Sequence, residues 1–192
     1  METKNHLQLA ISLASQNNLG TNAKYFILGN ISPDINPLTY LQGHTYTDRI
    51  SSMKKLAQRF LSPNTWMKQS YYDLGVLLHY VADSFTFPHN PTFTGNLSEH
   101  CNYEKELRFH FQRNLKKGVT TDTWNFHPIK NVSRLFENLD YKHQEYLSLP
   151  PSIKQDCNYI LNAANYMFDN LHLLKQRVPA FSNKQKVTVP SC

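Results

Sequence analysis

Glycine is scarce in this chain, with 6 in 192 residues. No stretch shows the sustained alternation of β-branched and polar residues that marks a half-buried strand. Both absences favour helices over sheets. Cysteine is nearly absent too. Cys101, Cys157 and Cys192 are an odd number, which excludes a disulfide framework and argues for free thiols. No run approaches the ~18 apolar residues of a membrane-spanning helix. The opening METKNHLQLAISLASQNN lacks a basic region followed by an unbroken apolar core, so it does not read as a signal peptide. The expected location is therefore the cytoplasm, or outside the cell if an export sequence is missing from the front. Repeats, low-complexity tracts and internal domain boundaries are also lacking.

What is present describes an ordinary globular chain, 40% hydrophobic and 18% charged, long enough for one domain with a proper core. The expected division is a helical domain over 1–176 and a loose tail over 177–192, where Pro179 and several Lys follow the last periodic segment. The formal charge of +6 and pI near 9.2 permit attraction to phosphates, on an anionic lipid surface or on nucleic acid, without choosing between them.

Apolar residues at helical spacing predict helices over 4–17, 48–61, 65–85, 98–116, 128–147 and 151–176, and the short apolar run at 24–30 is assigned to a further one. Gly20 suits the left-handed residue that ends many helices. Asp34, framed by Pro33 and Pro37, is expected on an irregular turn. Asp48 is expected to cap the helix at 48–61. The helix at 65–85 is apolar nearly all round, with Trp66, Tyr72, Leu74, Leu77, Tyr80 and Val81, and such a helix is usually central.

The chemistry concentrates between His79 and Glu104, in HYVADSFTFPHNPTFTGNLSEHCNYE. His79 and Asp83 are four apart on one candidate helix and share a face; His100 and Glu104 repeat the spacing on the next. Pro88 and Pro91 force the chain out of helix between them, and His89 lies in that turn. A single His-x-x-x-acid pair is more often a helix-surface contact than a ligand set. Two pairs bracketing another His reverse those odds and point to a metal site, since imidazole and carboxylate are the nitrogen and oxygen donors that zinc takes. His79 and Asp83 on a buried helix also need partners, which a cation supplies. His44 and Asp48 form another such pair, read as loop and cap. Cys101 points away from the His100–Glu104 face and is left out. His6 taken alone reads as a solvent-facing residue of the first helical turn. His110, His127, His143 and His172 read as ordinary.

The order His6, Pro33-Asp34, His44, His79/Asp83/His89, His100/Glu104 resembles the zinc-dependent phospholipase C family of bacteria, related in fold to the S1/P1 nucleases. The resemblance covers about residues 1–105; the rest contributes compatible helices. It implies an all-α multi-helix bundle with two or three zinc ions in a cleft. One zinc would take Asp34, His44, His79 and Asp83, and a second His89, His100 and Glu104. A third would share Asp83 with His6 and the amino terminus. Asp34 is the family's general base. The implied reaction is cleavage of a phospholipid or another phosphodiester by zinc-activated water, with transient contact to a membrane surface. Two positions depart from the pattern. Secreted members begin with a Trp whose amino group binds the third zinc, whereas this chain begins Met1-Glu2, so either the Met1 amino group substitutes or that site is weak. Choline-preferring members place a headgroup-cage Tyr where Ile35 stands, which leaves cation–π recognition of choline unsupported. The rival readings are an S1/P1-like nuclease or nucleotidase, and a non-catalytic helical binding protein that keeps zinc for structure.

Overall fold

The structure, a computed structural model, describes residues 1–36, 45–117, 124, 126 and 129–178. Those residues form seven α-helices and no strand: α1 (Thr3–Gln16), α2 (Ala23–Ile35), α3 (Tyr46–Leu61), α4 (Met67–Ser84), α5 (Leu97–Lys117), α6 (Val132–Ser148) and α7 (Ile153–Arg177). Single 3-10 turns cover Gly20–Asn22 and Phe87–His89. The all-α class read from the sequence is the observed one. His44, His127 and, from residue 179 on, the expected tail lie outside the described residues.

Helix α4 is central, packed against α1, α2, α3 and α7, with Leu74, Leu77, Leu78, Val81 and Ala82 fully buried. Trp66 does not join that face: it occupies the N-cap position of α4 and is 82% exposed. Phe26 of α2, Phe60 of α3 and Phe168 of α7 fill the space around α4, with Phe26 and Phe168 meeting edge to face at 5.7 Å. The closest helix contact is between α2 and α4. A Cβ on Gly29 would collide with the Tyr72 carbonyl, and one on Gly75 with the Phe26 carbonyl. Two of the few glycines are thus spent on backbone approach, and Asn30 beside that crossing donates from Nδ2 to the Gly75 carbonyl at 3.1 Å.

Three local expectations are corrected. Asp34 does not sit on an irregular turn but on the last turn of α2, which carries Pro33 inside it. Proline has no N–H to reach back four residues, and the Ser32 hydroxyl donates to the freed Gly29 carbonyl at 3.1 Å, so the helix continues past it. The left-handed residue that ends α1 is Asn18 (φ 50°). The Leu19 N–H returns to the Ala14 carbonyl and the Asn18 N–H to that of Ser15, a Schellman closure; Gly20 (φ 54°) follows it. Asp48 is the third residue of α3, not its cap: Thr45 caps, and the two side chains satisfy each other's backbone N–H as a capping box.

Candidate metal centre

Helix α4 projects His79 and Asp83 one turn apart into the bundle, with His79 Nε2 3.2 Å from Asp83 Oδ2. The His79 ring is fixed from behind, since its Nδ1–H donates to the Asn30 carbonyl at 2.9 Å. In the neutral ring that bond leaves the lone pair on Nε2, which faces Asp83 and Asp34 Oδ1, 3.6 Å away. His6 of α1 stacks on His79 with ring centroids 3.8 Å apart and brings its Nε2 to 3.1 Å from Asp83 Oδ1. Contrary to the expectation for His6 alone, it is completely buried. The signal was in the periodicity: His6 shares a face with Leu9, Ala10 and Leu13, all buried, and that is the core face.

The second pair forms the other flank. Asn96 and Glu99 cap α5 reciprocally, Glu99 N–H to Asn96 Oδ1 at 3.1 Å and Asn96 N–H to Glu99 Oε2 at 2.7 Å, so the helix starts where His100 and Glu104 fall in its first two turns. Glu104 Oε1 lies 3.1 Å from His100 Nε2 and 3.0 Å from His89 Nε2. Asp83 joins the two flanks, its Oδ2 being 3.7 Å from His89 Nδ1. The Met1 amino group sits among them, 2.8 Å from both Asp83 Oδ1 and Glu104 Oε1 and 2.7 Å from His89 Nε2.

The electrostatics follow from crowding these groups together. Burial alone would lower the Met1 ammonium, but the attraction of Asp83 and Glu104 wins and raises it to about 10. Burial and the neighbouring His79 push His6 down to about 4. Burial favours the neutral form of Asp83, yet His89, the amino terminus, His79 and His6 hold it well below the usual carboxylate range. Glu104 is lowered in the same way, against its burial, by the amino terminus, His100 and His89. The site is a well of negative charge made to hold cations.

Whether a metal suits it is decided by the buried atoms left without partners. His79 Nε2, Asp83 Oδ2 and Asp34 Oδ2 are buried and have no hydrogen-bond partner. When the ring is neutral its one proton goes to Asn30 and its lone pair faces carboxylate lone pairs, a costly arrangement that a metal cation between them would relieve. The Met1 ammonium already plays a cation's part beside Asp83 and Glu104. Two sets of donor atoms lie close enough to share an ion: His6, Asp34 and His79 in one, His89, His100 and Glu104 in the other, the atoms of each within 4.8 Å of one another. The donor chemistry fits zinc.

Seven of the eight expected ligands are therefore gathered at one place, and the eighth, His44, lies outside the described residues. The grouping differs from the one the resemblance implies, because His6 falls with Asp34 and His79 as well as beside Asp83 and the amino group. A cleft of about 760 Å³ lies beside the cluster and is lined by Met1, Asp34, His89, His100 and Glu104, together with Lys4 and Arg108. Cys101 is exposed at that cleft and belongs to neither donor set. His110 is exposed, and His172 donates from Nδ1 to the Phe168 carbonyl at 3.0 Å in its own helix.

An all-helical bundle that collects imidazoles and carboxylates beside a cleft has the build of a metal-dependent protein. The zinc dependent phospholipase C family model matches residues 5–153, and the chain belongs to that family. No match was found among curated proteins or among solved structures. No helix among the described residues is long and apolar enough to cross a membrane.

Sequence reasoning passed over the residues behind the ligands. His143, three residues after Asp140, reads as a helix-surface contact, but it is 2% exposed, stacks on Tyr46 at 4.1 Å and donates from Nε2 to Asn90 Oδ1 at 2.9 Å. Asp156 is fully buried. Its only mark in the sequence is a carboxylate in the first turn of an otherwise apolar helix face.

Proposed function

We propose that this chain is a phospholipase C-type hydrolase that cleaves a phospholipid at two or three zinc ions held by His6, Asp34, His44, His79, Asp83, His89, His100 and Glu104. The observation that carries the reading is Asp83, one buried carboxylate within 3.7 Å of three different imidazoles and the amino terminus, of which His89 and Met1 line an open cleft. When bound there, zinc supplies positive charge to phosphoryl oxygens and lowers the pKa of a water. The chain's own groups do the rest. Asp34, which lines the cleft, would accept the proton of the attacking water. The Asn30 carbonyl keeps the His79 ring in one tautomer. Lys4 and Arg108 bring positive charge to the cleft wall, and Arg108 is held by Glu2 at 2.9 Å.

The nuclease alternative draws less support. Single-strand nucleases need aromatic surfaces on which bases stack, and no Phe, Tyr or Trp lines the cleft among the described residues. A purely structural zinc site is coordinatively closed, whereas this one faces a cleft. The test is hydrolysis of phospholipid vesicles and of single-stranded DNA by zinc-loaded protein, alongside Asp83→Asn. Lipid cleavage that disappears together with bound zinc in the variant supports the reading. DNA cleavage without lipid cleavage transfers it to the nuclease, and an active, zinc-loaded Asp83→Asn protein would overturn it.

A further inference from the structure

Two elements that carry ligand candidates, and α6 beside them, converge on a residue from the C-terminal helix. Asp156, in the first turn of α7, accepts the Phe87 N–H at 2.9 Å and the Tyr103 hydroxyl at 3.0 Å on Oδ2. Its Oδ1 accepts the Tyr146 hydroxyl at 2.8 Å. Phe87 opens the 3-10 turn that ends at His89, and Tyr103 immediately precedes Glu104. A single oxygen therefore ties the turn bearing His89 to the helix bearing His100 and Glu104. The rings of Phe87 and Tyr103 also pack together at 5.6 Å.

The other end of that turn is anchored as well. Asn90 donates from Nδ2 to the Ser84 and Thr86 carbonyls, at 3.1 and 2.9 Å, and accepts from His143. His89 is thus clamped on both sides by α6 and α7, beyond the segment that holds the ligand pattern. Asp156 itself lies past the end of the family match at residue 153.

We propose that Asp156 is a positioning residue for the His89–His100–Glu104 group, setting the distance between the turn and α5 that a shared cation requires. The physical case is one of cost. A buried carboxylate loses hydration, and where stability alone is at stake an apolar side chain of similar volume serves as well or better. A charged acceptor is justified here by where its donors come from: charge-assisted bonds are short and directional, and two of these three reach the elements that carry one donor set. Groups that hold metal ligands from behind typically change metal affinity by 10–100-fold when removed.

The inference rests on the zinc reading above, and its test separates the two. Zn²⁺ is titrated into chelator-stripped full-length protein against a competing chromophoric chelator, for wild type, Asp156→Asn, Tyr103→Phe and Asp73→Asn. Asp73 is an equally buried carboxylate, bonded to Arg59 at 3.0 Å and Gln69 at 2.8 Å, with no link to the ligand-bearing turn. The expected result is that Asp156→Asn and Tyr103→Phe weaken one zinc-binding step by about 10–100-fold and leave the remaining step in place. Asp73→Asn should lower the melting temperature without moving either step. Unchanged zinc affinities in Tyr103→Phe, which removes a single hydroxyl and keeps the fold, would overturn the proposal. So would a uniform weakening of every step that tracks the melting temperature. Wild type that takes up no zinc would overturn the underlying reading as well, whereas normal wild-type uptake with unaltered variants would overturn only the role of Asp156.

Discussion

The two donor groups are chemically alike and physically different. In the deep group, the side chains of His6 and His79 are 0% exposed, and only Asp34, at 16%, reaches the cleft; Asp83 beside them is 2% exposed. In the rim group, His89, Glu104 and His100 are 11%, 13% and 27% exposed. The deep group is assembled by packing: α1 lies on α2, and the glycine crossing of α2 and α4 brings the Asn30 carbonyl to His79. The rim group is assembled by hydrogen bonds to a turn and to a capped helix end. Packing that leaves polar atoms unpartnered in a core needs a cation for stability. A rim group needs one for chemistry, and its solvent access leaves room for substrate and water. On the proposed zinc reading, an ion in the deep group would contribute most to stability and one in the rim group would be the more readily exchanged.

The contrast is broken most severely by His79→Ala. Removing that ring opens a cavity and takes from Asp83 Oδ2 its nearest imidazole, so zinc uptake at the deep group and the melting temperature should fall together, the latter by an amount corresponding to about 2–4 kcal/mol. Calorimetry alongside metal analysis reads both. His100→Ala should do the opposite, losing rim zinc and hydrolysis with little change in melting temperature, since its surroundings are already wet. Should the two variants behave alike, the division of labour fails.

Gly75→Ala sharpens the packing side of the comparison. Its Cβ would meet the Phe26 carbonyl, forcing α2 and α4 apart at a cost of about 1–3 kcal/mol. Deep-group zinc affinity should drop with it while the rim step stays, as separate steps of a zinc titration would show.

Much of the rim group was legible in the sequence, because its spacing is local. His100 and Glu104 sit four apart in one helix, and the prolines around His89 announce a turn. The deep group was only half legible. His79 and Asp83 share a helix, but Asp34 was assigned to an irregular turn because Pro33 normally ends a helix, and the Ser32 hydroxyl that rescues the Gly29 carbonyl is a tertiary-scale detail. His6 has no acidic partner four residues on, and its burial follows only from the face it shares with Leu9, Ala10 and Leu13. Asp156 and His143 were invisible for another reason: they act on residues 53 or more positions away, and no local spacing encodes such a contact.

The smallest expected effect is one of pH. Burial lowers His143 to about 4 from 6.5. Between those values the unfolded chain binds the proton more tightly than the folded one, so the stability is complete above pH 6.5 and is lost as pH falls towards 4. His143→Gln should flatten the acid limb of a urea-midpoint profile by at most about 1.4 kcal/mol per pH unit. An unchanged slope would show that the ring is not held neutral.

Metal content tests the central claim most directly. Elemental analysis of the untagged, dialysed protein should give two or three zinc per chain. A chain that holds no metal after zinc has been supplied would contradict the account, and the converging histidines and carboxylates would then be core and surface groups with no chemistry to perform.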